Sequence, residues 1–150
     1  MTMGLPLDPS GPPDIGVAIA SGGATWEPPL ISQIERHRSG LRLVRRCVDL
    51  ADLLALCRAG RAGVAIVAAD LPRLARDDIA SLASAGVTVV VVATDTDRGR
   101  ELAGSAGRVV ASAGAPDDIV AAARTGAQAH ADRRSETAHR DASTALPDGA

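Results

Sequence analysis

The chain has 150 residues, 46% of them hydrophobic, and a formal net charge of −2. That charge gives no pull toward nucleic acid or an anionic membrane. All 16 cationic side chains are Arg, which excludes a GxxxxGK[ST] phosphate loop and lysine Schiff-base chemistry. Trp26 is the sole aromatic residue, so single-stranded nucleic acid finds almost no stacking platform.

Residues 1–14 are rich in Pro, Gly and Asp and read as a flexible lead. They lack the basic and apolar regions of a secretion signal. "IGVAIA" (15–20) is a strand. "WEPPLISQIERHRS" (26–39) carries Leu30, Ile31 and Ile34 at helical spacing, with Thr25 expected as N-cap and the prolines in the first turn. "LRLVRRC" (41–47) is a second strand, and its Arg42, Arg45 and Arg46 suit a guarded sheet edge. "DLADLLALCRAG" (49–60) is the clearest helix. Asp49 is its cap, Leu50, Leu53, Leu54 and Cys57 are its apolar face, and Gly60 is its stop. Cys47 and Cys57 are too few for a disulfide framework or a zinc site, and read as small buried hydrophobes.

"GVAIVAAD" (63–70) is a third strand, and "RDDIASLASAG" (76–86) is a helix with acids in its first turn. "VTVVVVATD" (87–95) is the strongest strand, yet far too short to span a bilayer. "DRGRELAGSAG" (97–107) is a weak, glycine-rich helix, and "RVVAS" (108–112) is a short strand. "APDDIVAAARTGAQA" (115–129) is a last helix. Residues 130–150 show no apolar periodicity and are expected to be a disordered tail or linker.

This rhythm of five β–α units over 15–129 predicts an α/β fold: a parallel sheet with helices on both faces, three layers in all. Strands 1, 3 and 4 are continuous apolar runs and belong in the middle. With right-handed crossovers the order is 2-1-3-4-5, the flavodoxin-like arrangement. Ligands of such sheets bind at the carboxyl ends of the strands. That brings Ser21, Gly22 and Gly23, after strand 1, beside Asp70, after strand 3. The Ser21–Gly23 loop could offer backbone N–H groups to an anion. Asp70 suits an Asx-turn leading into Pro72. His37, His130 and His139 are scattered, and no metal or other cofactor is expected.

Five such units with an acid after strand 3 resemble a response-regulator receiver domain. In that family the acceptor aspartate works with two acids after strand 1 that hold Mg²⁺, a Ser or Thr after strand 4 and a Lys after strand 5. The resemblance makes Asp70 the acceptor-like position and Thr94 the hydroxyl position. The other parts do not match. "SGGATW" holds no acid before Glu27, "SAGAP" holds no Lys, and none stands elsewhere. A carboxylate attacking a phosphoryl dianion needs a cation to offset the charge. Asp70 and Thr94 therefore read as degenerate positions, and the chain as a non-enzyme. The alternatives are a true phosphoacceptor receiver using Asp70, and a small-ligand or nucleotide-binding flavodoxin-like module.

The stretch "RRCVDLADLLALCRAGRAGVAIVAADLPRLARDDIASLASAGVTVVVVATD" looks more narrowly like the N-terminal receiver-like domain of actinobacterial CpaE/TadZ-like and septum-site-determining proteins. The resemblance implies a cytoplasmic pseudo-receiver. It would localise, dimerise or regulate a MinD/ParA-type ATPase, in cis or in trans, in pilus assembly or septum placement. The receiver resemblance implies pairing through helix 4, strand 5 and helix 5, and the charges Arg98, Arg100, Glu101 and Arg124 on those helices are the candidate contact residues.

Overall fold

A computed structural model describes residues 15–36 and 39–145. Ten elements alternate along it: β1 (Ile15–Ala20), α1 (Glu27–Ile34), β2 (Leu41–Arg46), α2 (Leu50–Arg58), β3 (Val64–Ala68), α3 (Arg76–Ser84), β4 (Thr88–Ala93), α4 (Thr96–Ala103), β5 (Gly107–Ala111) and α5 (Pro116–Ala145). All four strand pairs are parallel, in the order β2-β1-β3-β4-β5. This is the flavodoxin-like order expected from the sequence. The apolar runs β3 and β4 are buried along their whole length, whereas β2 and β5 are partly exposed edges.

Strand residues alternate between two cores because successive side chains leave opposite faces of a sheet. Ala18, Ala20, Ala65, Val67, Val89 and Val91 face α2, α3 and α4. Val17, Ile19, Val64, Ile66, Val90 and Val92 face α1 and α5. The side covered by three helices carries the alanines. Small side chains there let the helices sit close to the sheet.

Local details depart from the sequence reading in three places. The N-cap of α1 is Trp26, without a side-chain cap bond, and not Thr25. The buried face of α2 is Leu50, Leu53, Leu56 and Cys57, with Leu54 only partly buried. Both leucines lie on the apolar flank, and the sheet selects one. The third correction concerns the C-terminal end. The expected stop near residue 129, with a disordered tail beyond, gives way to helix continuing to Ala145. No Gly or Pro stands between Gly126 and Pro147, and Ala, Arg and Glu propagate helix well. Apolar periodicity ends near 129 because the sheet ends, and backbone helicity does not depend on it. The lead 1–14, His37 and residues 146–150 lie outside the described residues.

Cys47 and Cys57 are free, 7% and 4% exposed, and belong to the α2–α4 side of the core. Burial is the main cause that pushes each thiol up from 9.0 to about 11, and the carboxylate of Asp52 adds to it at Cys47. A raised thiol pKa means that the folded state holds these protons more tightly than the unfolded chain does. The unfolded chain loses its thiol protons first, so this stability is present below pH 9 and drains away between pH 9 and about 11. Urea midpoints are expected to fall across that window, and to fall less in Cys57→Ala. An equal fall in the variant would assign the pH dependence to other groups.

Candidate functional site

At the carboxyl edge of the sheet, β1 ends at Ala20 and the chain turns through Ser21, Gly22 and Gly23. Gly22 and Gly23 have φ of +69° and +89°, a conformation that glycine adopts without a Cβ penalty. The Ser21 hydroxyl accepts the N–H groups of Gly23 and Ala24, each at 3.3 Å, and donates to Oε1 of Glu27. Glu27 opens α1 and is only 4% exposed. Its Oε2 accepts the Nε–H of Arg46 at 2.6 Å and also pairs with Nη2 of the same guanidinium. A buried carboxylate is thus held by a hydroxyl from its own loop and a cation from the neighbouring strand.

This arrangement bears on the proposed anion loop. Two of its amides already bond the Ser21 hydroxyl, and a carboxylate sits behind them. The Gly23 N–H and the neighbouring Ala24 N–H are thus turned toward the Ser21 hydroxyl. Sequence reading placed Glu27 beyond the loop and treated Arg46 as an edge guard, and so missed the pair. The available signal was topological: β1 and β2 are neighbours, so residues after the first strand meet residues at the end of the second. Arg45 makes a separate exposed pair with Asp52 at 3.2 Å.

Asp70 is not at the end of a strand. β3 closes at Ala68, and Asp70 lies in the following turn, exposed. The N–H of Leu71 bonds the carbonyl of Ala68 at 3.0 Å, and that of Leu74 bonds the carbonyl of Leu71 at 3.1 Å. Backbone groups close these turns, and the expected Asx-turn through the Asp70 carboxylate is not formed. Thr94 follows β4 and is exposed, its hydroxyl 3.3 Å from that of Ser112 after β5. Asp95 caps α4 by accepting the N–H groups of Asp97 and Arg98. Among the described residues no three His, Cys, Asp or Glu side chains form a group that could hold a metal ion.

The candidate contact residues divide between two places. Arg98, Arg100 and Glu101 are exposed on α4, Arg98 in its first turn and Arg100 in its last. Arg100 is 3.0 Å from Asp97, an exposed pair of little energetic weight. Arg124 does not join them. It lies against Gly40 and lines a cleft with Ile15 at the start of β1, on the opposite side and end of the sheet.

No family model matches the chain, and no curated protein sequence does either. Solved structures do resemble it. The receiver domain of the response regulator NarL from Mycobacterium tuberculosis superposes with a TM-score of 0.64 at 15% identity, covering 78% of this chain and 98% of that one. The receiver domain of an HD domain-containing protein from Pseudomonas fluorescens gives 0.63 at 13%, covering 79% and 98%. A two-component transcriptional regulator from Clostridium phytofermentans gives 0.66 at 13%, covering 81% and 98%. The chain therefore has a receiver-like fold. No helix among the described residues is long and apolar enough to cross a membrane.

Proposed function

We propose that the chain is a non-catalytic receiver-like interaction domain, a pseudo-receiver that acts by docking to another protein. The observation that carries this reading is the position of Asp70. It stands exposed in a turn beyond β3, with no hydroxyl or cation bonded to it among the described residues, while the acid nearest β1 is already neutralised by Arg46. A phosphoryl transfer needs its charge-offsetting groups converged on one point, and these are dispersed. The exposed, unpartnered Asp70 carboxylate is what supports the phosphoacceptor alternative.

The sequence resemblance supports a MinD/ParA-type ATPase as the partner. The face formed by α4, β5 and the first turns of α5 is the docking surface in this reading. Arg98, Arg100 and Glu101 supply its charge, and Arg124 takes no part. Sedimentation of the domain alone and with such an ATPase tests it. Arg98→Glu with Arg100→Glu is expected to weaken association at least about tenfold by placing like charges in the contact, and Arg124→Glu to leave it unchanged. Wild type that is monomeric at high micromolar concentration, and that binds the ATPase no better than the double variant does, contradicts the proposal.

A further inference from the structure

The amino edge of the sheet holds a second constellation, independent of the reading above. Thr88 opens β4 and is 3% exposed, and its buried hydroxyl has no hydrogen-bond partner. A buried hydroxyl left without a partner is unfavourable. Thr88 lines a pocket of about 320 Å³ together with Ser105, Arg108, Gly126, His130 and Arg133, and among the described residues no lining residue is a carboxylate. Arg108 and Arg133 form no ion pair among the described residues. Arg133 Nη2 lies 3.2 Å from His130 Nδ1.

Gly126 gives this pocket its roof. A Cβ there would lie 2.4 Å from Thr88 Cγ2 and 2.8 Å from Arg108 Nε. The bare helix backbone lets the threonine and the guanidinium share the space beneath α5. Two arginines and an imidazole, with no carboxylate among the described lining residues, are a donor set for a polyoxygen anion. A water occupies about 30 Å³, so the volume admits more than a bare anion.

We propose that this pocket binds a phosphate dianion, free or carried as a small monoester. Arg108 and Arg133 supply charge-assisted hydrogen bonds. His130 adds a donor when protonated. Arg108 comes from β5, while His130 and Arg133 come from α5 at the edge of the sheet, so the bound anion ties the outer part of that helix to the sheet.

Amide spectra recorded during titration with inorganic phosphate, with chloride holding ionic strength constant, test this. Saturable shifts confined to Thr88, Gly107, Gly126 and His130 are expected. Glycerol phosphate is expected to saturate at lower concentration than inorganic phosphate if the site serves a monoester, and at equal concentration if it serves the free ion. Acetate is expected to bind more weakly than either. Arg108→Gln and Arg133→Gln should each weaken phosphate binding about tenfold or more. Shifts that stay linear at tens of millimolar phosphate, or affinity unchanged in both arginine variants, overturn the proposal.

Discussion

Arg46→Met is expected to lower unfolding stability by about 2 kcal/mol. Removing one partner of a buried ion pair typically costs about 3–5 kcal/mol, because the other charge stays desolvated. Here the figure is smaller. The Arg46 side chain is 59% exposed, so water reaches the site, and Ser21 still donates to Glu27. The double variant Arg46→Met with Glu27→Gln removes the stranded charge and should recover a large part of the loss. The coupling in that cycle is expected at about 1–2 kcal/mol. Urea unfolding with unchanged denaturant slope measures it. An Arg46→Met midpoint equal to wild type would show that the pair does not stabilise the loop.

Gly99→Leu is expected to cost about 3 kcal/mol, and Gly99→Ala about 1 kcal/mol. In an exposed helix the alanine change gains about 1 kcal/mol, because glycine leaves the unfolded chain more freedom. The sign reverses here because Gly99 is buried where α4 crosses the sheet. A Cβ at this position would lie 2.8 Å from Ala93 Cβ on β4 and 3.0 Å from Val109 Cγ1 on β5. The alanine variant already forces one of those strands or the helix to move, and leucine adds three more carbons. Stabilisation by alanine would mean that α4 stands farther from the sheet than described.

Gly99 also shows what was and was not legible in the sequence. It counted there only as a low-propensity residue that weakened helix 4. Its packing role depends on which strands lie beneath it, which a one-dimensional pattern does not contain. The sheet order was legible for a physical reason. A strand covered on both faces must be apolar throughout, as "VAIVA" and "TVVVVA" are, and an edge strand tolerates Arg42, Arg45 and Arg46. The same apolar run hid the end of β3. Ala68 and Ala69 look alike in sequence, and the N–H of Ala69 still bonds Val92 across the sheet, yet the strand closes there and leaves Asp70 in the turn. Glu27 and Arg46 are 19 residues apart and meet only through the β1–β2 pairing. The length of α5 was missed because amphipathic periodicity reports burial, and the helix continues past the sheet with no core to set its period.

The central proposal is that Asp70 does not work as a phosphoacceptor. Amide spectra of the domain with Mg²⁺ and beryllofluoride, recorded beside Asp70→Asn, test it most directly. The account predicts that wild type and variant respond alike, with no specific shifts at Asp70, Thr94 or Ser112. Saturable shifts at those residues in wild type, lost in Asp70→Asn, would contradict it and establish a phosphorylated receiver.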